Sequence, residues 1–476
     1  MGGGAGRPVV LGVDLATAAA RVHAVDPADG TVLAEAARPL PAPRTPRPGW
    51  VEQDPQYADA ARGALAEVCA ALGARAADVA ALSVTGTSGT VLAADADGRP
   101  TGPALLYSDD RGRDLVPAGT GASAGRLLWL AAHTPGARYL HTPDVVVADL
   151  TGVLVTDTSH ALKAGTDPAA RRWPQPLADR LGAALPDLVH PGTPVGTVRD
   201  AVAAELGLPR GVVVVAGMTD GCTAQIAAGA VAPGQTIGVL GTTLVLKGVA
   251  AAEVDRDGVY SHLAPDGSWW PGGASNTGAG TLTATADLAA LDTEALAAGP
   301  SPLTCYPLPP PPRQGERFPF RDEQVQAFLV GPGADRAGPV QRHRAELDGV
   351  AFTERLGLEL LAGLGVASTD HRAVGGGSRS LPWLTVRAST LGRPVSRPAT
   401  PHSGFGAALL AATALEAGGP AALPEVTARA VHPDVVVDPD PAQVEGLAAG
   451  YRRLLDELGR RGLLEHRPLP TPAVPA

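Results

Sequence analysis

The chain opens on short apolar runs that alternate with small polar turns. Val9 to Val13 is an apolar run closed by Asp14, Arg21 to Val25 is a second strand-like run, and Asp29-Gly30 signals a hairpin into Thr31 to Ala34. A Pro-rich loop, Pro39 to Pro55, comes next. Asp54 as N-cap, Pro55 at the first helical position and the Ala/Leu/Val/Cys spacing beyond them predict a helix through Leu72. Val79 to Val84 reads as a strand that opens into Gly86-Thr87-Ser88-Gly89, followed by Thr90 to Ala94 and the turn Asp97-Gly98. Val212 to Val215 is wholly β-branched, as expected of a strand buried on both faces. It leads into Gly217-Met218-Thr219-Asp220 and a helical stretch from Thr223 to Val231.

The second half repeats the opening. Thr236 to Leu240 is a strand, Gly241-Thr242-Thr243 is a small hydroxyl-bearing turn, and Leu244 to Val249 returns as a strand, as the chain does around Asp14 to Thr17. Self-similarity at a separation of about 225 residues is too long for a solenoid and indicates two domains of one design. The expected spans are 1–230 and 231–425, with 426–476 as a C-terminal helix and frayed tail. A helix from about Asp348 to Leu364 and the apolar pair Ala373-Val374 precede Gly375-Gly376-Gly377-Ser378, and Pro382 to Arg387 resembles a helix start. A Gly-rich turn feeding a helix N-terminus suits phosphate or a nucleotide, although Gly-Gly-Gly alone is more often a flexible turn. Tyr451, Leu454, Leu455, Leu458 and Leu463 recur at helical spacing and predict a docking helix, whereas Arg467 to Ala476 lacks core residues.

Composition narrows the class. Apolar residues make up 45% of the 476 and charged residues 18%, below the ~25% of an average soluble domain, so a large core is available. The 59 Gly and 46 Pro are about 22% of the chain, just short of the ~25–30% of low-complexity segments, and are expected in turns and close backbone approaches. A net charge of −10 is the wrong sign for a phosphate-backbone binder, so nucleic acid is not an expected partner. Cys69, Cys222 and Cys305 lie in no C-x-x-C pair and fit a reducing cytosol better than a disulfide framework or zinc site. The first residues carry no basic and apolar signal segment, and no apolar run approaches the ~18–20 residues of a membrane span. The expectation is a cytoplasmic monomer or homodimer with no membrane partner.

Two carboxylates stand out. Asp14 ends a buried strand at a sheet edge, where a ligand can reach it, or is an ordinary turn aspartate. Asp220, after a buried strand and before a helix, is placed to accept a proton, or to cap the helix.

In order along the chain stand strand-Asp14-turn, Asp109-Asp110-Arg111, Pro143-Asp144 with Leu150-Thr151-Gly152 and Thr156-Asp157, Gly217-Met218-Thr219-Asp220, Gly241-Thr242-Thr243 and Gly375-Gly376-Gly377. This series, from about Val9 to Ala412, resembles the FGGY carbohydrate kinases. Gly86 to Leu92, Leu240 to Lys247, Tyr260-Ser261-His262, Gly272 to Gly278 and Gly315 to Pro319 are most similar to the D-ribulokinase group of cyanobacteria and plants. The resemblance implies an α/β protein of two actin-like (ribonuclease H-like) ATPase domains around a central cleft, with ATP and a sugar as partners and ATP and Mg²⁺ as cofactors. It further implies transfer of the γ-phosphoryl group to a ketopentose hydroxyl, D-ribulose first, with D-xylulose or another polyol, or a non-catalytic sugar or nucleotide sensor, as alternatives. Phosphoryl transfer needs positioning, a metal against the phosphates and a proton acceptor. By resemblance Asp220 is the base; Asp14 lies by Mg²⁺ and the substrate; Ser88 contacts the sugar, its alternative being a plain turn residue. Thr17, Gly241, Thr242 and Thr243 meet phosphate, and Gly375, Gly376 and Gly377 form the adenosine loop. Trp383 is expected against the purine side of that loop or in the core, and Trp50 or Gln53 along the sugar cleft or packed on its own domain.

Several positions depart from the family's pattern. The first phosphate turn carries Ala16 and Ala18 where a Gly and a hydroxyl are usual, with the expectation that the Ala16 Cβ crowds phosphate or blocks a positive φ. Ser380 replaces the usual Asn, and Asp109-Asp110-Arg111 follows the broad family rather than the ribulokinase group. Thr85-Gly86-Thr87-Ser88 stands where xylulokinases have a Met-His-Gly-Gln type of segment.

Overall fold

The computed structural model describes residues 6–117, 121–134, 136–284, 287–311 and 314–464. The backbone forms two compact units: Met1–Gly229 with His262–Ser268 and Thr400–His432, and Ala230–Ser261 with Trp269–Ala399 and Pro433–Ala476. The expected spans 231–425 and 426–476 therefore do not correspond to compact units, because the chain returns to the first unit at Thr400 and leaves it again after His432. The Pro-rich stretch Arg467 to Ala476 lies outside the described residues.

The first unit is built on strands β1 (Val9–Leu15), β2 (Ala19–Asp26), β3 (Thr31–Pro39), β4 (Val79–Gly86), β5 (Pro194–Thr197) and β6 (Val213–Val215), in the order β5-β6-β4-β1-β2-β3. β1, β2 and β3 form an antiparallel meander, β4 runs parallel to β1, β6 runs parallel to β4, and β5 is antiparallel at the edge. Every residue of β1 is buried, which its continuous apolar run requires of a central strand. One face packs Val9, Leu11 and Val13 with Leu65 and Val68 of the helix Tyr57–Leu72. The helix Ser403–Ala412 lies on β1, close enough that any Cβ at Gly12 would run into the Gly404 carbonyl.

The first helix starts later than Asp54-Pro55 suggest. Glu52–Gln53 pairs with Ala104–Leu105 and holds the chain extended, and the helical ladder begins where Ala60 N–H donates to Gln56 O, with no side-chain cap. Val91–Ala94 leaves the main sheet and joins a smaller one with Glu52–Gln53, Ala104–Leu105 and Arg138–His141.

The sheet of the second unit is built from β7 (Gln235–Leu240), β8 (Leu244–Gly248), β9 (Val259–Leu263, of which the last two residues belong to the first unit's segment His262–Ser268), β10 (Trp269–Ser275), β11 (Asp370–Val374), β12 (Val395–Pro398) and β13 (Pro433–Val437). Their order is β9-β10-β8-β7-β11-β12-β13. β7 heads an antiparallel meander through β8 and β10, β11 is parallel to β7, β12 is parallel to β11, and β13 is antiparallel at the edge. Six of these seven strands repeat the spatial arrangement of the first unit, with β7 in the place of β1 and β11 in the place of β4, and β9 is an additional strand at the far edge. The internal repeat read from strand-turn-strand similarity is thus a repeat of topology.

The long helix of this unit runs from Pro339 to Gly363, beginning well before Asp348. Its first turns bury polar side chains in pairs, His343 with Asp292 at 2.6 Å and Arg344 with Asp348 at 2.7 Å, so apolar periodicity does not reveal them. The helix Pro441–Arg460 buries Leu447, Tyr451, Leu454 and Leu458 in the core of the second unit. Among the described residues, no helix is long and apolar enough to cross a membrane.

Candidate active site

The carboxyl ends of parallel strands gather the candidate groups of the first unit. Asp14 pairs in register with Thr85 and Leu15 with Gly86, and Gly86 bridges to Thr219, immediately before Asp220. The ends of β1 and β4 and the segment after β6 thus meet where open α/β sheets hold ligands. Thr85 Oγ1 donates to the Met218 carbonyl at 2.6 Å and tightens that junction.

Asp14 is 8% exposed. Its Oδ1 is buried without a hydrogen-bond partner and its Oδ2 lies 3.7 Å from Arg21. Burial, then the charge of Asp220, pushes the Asp14 carboxyl up to about 7 against the pull of Arg21. Asp220 is the first residue of the helix Asp220–Ala227, whose N-cap is Thr219. The capping alternative therefore falls to Thr219 by position, and the Asp220 carboxylate sits in the first turn, where the helix dipole favours it. Gly221 N–H donates to Asp220 Oδ1 at 2.7 Å, and Ser403 Oγ donates to the Asp220 carbonyl at 3.1 Å.

The first phosphate turn is fixed through its backbone. The Thr17 carbonyl accepts from Gln53 Nε2 at 2.7 Å and the Ala18 carbonyl from Leu40 N–H at 2.9 Å. Arg171 and Asp287 are the non-glycine residues with positive φ among the described residues. Ala16 therefore occupies ordinary backbone space, and the expected block of a positive φ is not there. Gln53 is 1% exposed and braces this turn, also donating to Pro41 O and accepting from Tyr57 Oη, rather than lining a sugar site.

Ser88 is half-buried, and its Oγ has no hydrogen-bond partner. Its turn is closed by Thr87 Oγ1 and Thr90 Oγ1 at 2.9 Å and by buried Arg126, which donates to Gly89 O at 2.9 Å and to Asp109 O at 2.8 Å. Arg111 pairs with Asp109 at 2.7 Å and Glu52 at 2.9 Å, between the Trp50 and Trp129 rings. Trp50 thus packs within its own unit.

In the second unit the two glycine turns sit at the carboxyl ends of neighbouring parallel strands, because Val239 pairs with Val374. Gly241 N–H donates to Thr243 O at 3.0 Å, while Ala279 and Gly280 N–H donate to Gly241 O and Thr242 O, which lays the turn on residues 278–280. Thr242 is exposed and Gly241 and Thr243 are half-buried, so the hydroxyl turn is open. Gly375 and Gly376 are exposed, and Gly377 is packed on Leu240 and Trp383. Trp383 is 3% exposed within the core, so it does not reach a purine. Ser380 caps the helix Leu381–Leu391 by accepting Trp383 N–H at 3.2 Å.

The supports of these turns escape inspection of the sequence. Glu354 bonds Arg387 at 2.6 Å and His371 at 3.1 Å, while Arg387 donates to Gly238 O and so joins β7 to β11. Glu316 accepts from Ser275 Oγ, Asn276 N–H and Tyr306 Oη, each at 2.7 Å, and holds the segment on which the Gly241 turn lies. His160 lies between Asp157 and the Gly86 carbonyl. The one legible trace of this last group is Asp157-Thr158-Ser159-His160, an acid and a histidine three residues apart.

A divalent cation fits the Asp14 corner. An unpartnered, buried carboxylate oxygen with a second carboxylate electrostatically coupled to it suits a hard ion that keeps water and phosphate ligands. Among the described residues no group of three or more His, Cys, Asp or Glu is placed to hold a metal ion.

The profile of the FGGY carbohydrate kinase N-terminal domain matches residues 9–117 and 112–227, and that of the C-terminal domain matches 237–415. The chain belongs to the FGGY family of carbohydrate kinases. This FGGY kinase is similar to the xylulose kinase of Streptomyces rubiginosus, 30% identical over 87% of this chain and 90% of that one. The xylulose kinase of Streptomyces coelicolor is 30% identical over 82% and 84%. The crystal structure of xylulose kinase from Rhodospirillum rubrum superposes with a TM-score of 0.83 at 28% identity, covering 96% of this chain and all of that one. The Plasmodium falciparum glycerol kinase, 17% identical with a TM-score of 0.81, shares the fold. The FGGY kinase is accordingly a two-domain actin-like ATPase fold and an ATP-dependent sugar kinase, with a sugar and ATP as its substrates.

Proposed function

We propose that this FGGY kinase phosphorylates the terminal hydroxyl of a ketopentose, and that D-xylulose is its acceptor. The observation that carries the chemistry is that Asp14, whose Oδ1 is buried without a partner, ends a strand in register with Thr85–Gly86, while Gly86 bridges to Thr219 immediately before Asp220. The Streptomyces relatives that are 30% identical over most of the chain are named xylulose kinases, which favours D-xylulose over the D-ribulose expected from the motifs. D-ribulose remains the second reading, favoured by Thr85-Gly86-Thr87-Ser88 in place of the Met-His-Gly-Gln type of segment.

In the reaction the acceptor oxygen bonds to the γ-phosphorus, the bond from that phosphorus to the β,γ-bridging oxygen breaks, and ADP leaves. Asp220 takes the hydroxyl proton. Asp14 would hold Mg²⁺, which when bound would neutralise phosphate charge. Thr17, Gly241, Thr242 and Thr243 offer hydroxyls and backbone N–H groups to phosphate oxygens, Gly375 to Gly377 receive the adenosine, and Ser88 Oγ meets the sugar. A panel of ketopentoses and polyols with coupled ADP detection tests the reading. D-xylulose is expected to give the highest kcat/KM; a preference for D-ribulose establishes the second reading, and turnover confined to a non-ketose polyol overturns both.

A further inference from the structure

The segment Ser159-His160 touches both turns assigned to the reacting groups in the first unit. Ser159 Oγ accepts from Thr219 N–H at 3.2 Å and lies 3.1 Å from His262 Nδ1, so it holds the residue before Asp220. His160 is fully buried. Its Nδ1 lies 2.6 Å from Asp157 Oδ2 and its Nε2 lies 3.2 Å from the carbonyl of Gly86, the first residue of the Ser88 turn.

Both ring nitrogens of His160 face acceptors. A carboxylate and a carbonyl oxygen can only accept, so the ring satisfies both when each nitrogen carries a proton. The other groups facing it are Asp144, whose charge favours the cation, and His141, with ring centroids 6.1 Å apart. His141 in turn contacts Thr156 at 3.0 Å and Asp144 at 3.4 Å. Burial opposes the charge, but Asp157, then Asp144 and the Gly86 carbonyl, outweigh it and push His160 up to about 9.

We propose that His160 is a positioning residue for the acceptor sugar: as an imidazolium it holds the Gly86 carbonyl and so fixes the Gly86–Gly89 turn with Ser88 Oγ toward the substrate. This rests on the assignment of Ser88 to the sugar. Loss of the proton reverses the contact. The remaining N–H stays with Asp157, the Nε2 lone pair then opposes the Gly86 carbonyl, and the turn loosens while the nucleotide turns of the second unit are untouched.

The test is steady-state kinetics of the full chain with D-xylulose and ATP between pH 7 and 10, on wild type, His160→Gln, His160→Ala and Ser88→Ala. Wild type is expected to hold its sugar KM to about pH 8 and to raise it severalfold by pH 10, with the ATP KM unchanged. His160→Ala is expected to raise the sugar KM about tenfold at pH 7, the effect of losing a charge-assisted hydrogen bond. His160→Gln, whose amide N–H₂ can reach the Gly86 carbonyl without titrating, is expected to restore much of that loss and to give a flat profile to pH 10. A wild-type sugar KM that follows the His160→Gln profile across the range overturns the inference, as does a ¹⁵N spectrum showing a neutral ring at pH 7. Ser88→Ala separates this from the reading beneath it. If Ser88→Ala raises the sugar KM and His160→Ala does not, positioning by His160 fails; if His160→Ala raises it and Ser88→Ala does not, positioning stands and the Ser88 contact fails.

Discussion

Gly375 and Gly376 are neighbours in the proposed adenosine loop, yet a methyl group added to each should do opposite things. Gly375 has φ 87° and ψ 179°, a region open essentially to glycine alone, and a Cβ there would lie 2.5 Å from the Leu240 carbonyl oxygen and 2.8 Å from its carbon. The backbone conformation costs on the order of 1–3 kcal/mol for alanine, and relieving the overlap with rigid strand backbone adds at least ~1 kcal/mol. Gly375→Ala is therefore expected to lose about 3 kcal/mol, which for a unit of this size lowers Tm by about 6–12 °C. Gly376 has nothing within 4 Å of a built Cβ and an ordinary φ. Gly376→Ala should leave Tm within about 2 °C of wild type. If adenosine packs on this loop, the added methyl should raise the ATP KM about tenfold with the sugar KM unchanged. Thermal unfolding and ATP-saturation curves of the two variants decide the matter. A Gly375→Ala protein melting with wild type refutes the conformational argument, and an unaltered ATP KM in Gly376→Ala refutes the placement of adenosine.

Further expectations follow from the same geometry. Asp220→Asn should lower kcat by about 10²–10⁴-fold with an ATP KM within a few-fold of wild type; near-normal turnover removes Asp220 from the role of base. Glu354→Ala strands buried Arg387 and His371 between β7 and β11 and should cost about 3–5 kcal/mol by urea unfolding, and a loss below about 1 kcal/mol shows that the charges are solvated another way. His160 has its folded pKa raised, from 6.5 to about 9, so its contribution is complete below pH ~6.5 and is lost as pH rises through 9. Wild type should therefore lose about 3 kcal/mol between those limits and His160→Gln should not, checked by unfolding at stepped pH. Ala16→Gly should destabilise by about 0.4–1 kcal/mol through the entropy of the unfolded chain; a rise in Tm would mean that Ala16 is strained after all.

Local rules explain what was legible along the chain. The apolar runs at Val9 and Thr236, each ending in a small polar turn and returning as a strand, are visible because strand burial and turn chemistry act within a few residues. The same locality pointed to Asp14, Gly241 to Thr243 and Gly375 to Gly377 at strand ends and to Asp220 at a helix start. It failed where neighbours in space overrode local signals. Gln53 looks like a loop residue and is a buried brace, and Ser380 is engaged as a helix cap, whereas for Trp383 the structure selects the core between the two readings the sequence left open. The first turns of Pro339–Gly363 look solvent-facing because nothing in the adjacent residues shows that His343 meets Asp292 or that Arg344, paired with Asp348, also donates to Gln443, both partners being distant in the chain.

The strands around Asp14 and Gly241, the repeat of one design and the identity of the candidate carboxylates are properties of the sequence by itself, since each rests on spacing and residue type. Tertiary structure alone decided that Gly86 meets Thr219, that the Ser403–Ala412 helix supports β1 and Asp220, and that burial together with Asp220 raises Asp14. Those facts depend on desolvation and on pairing across long stretches of chain, and neither is written in the pattern of adjacent residues.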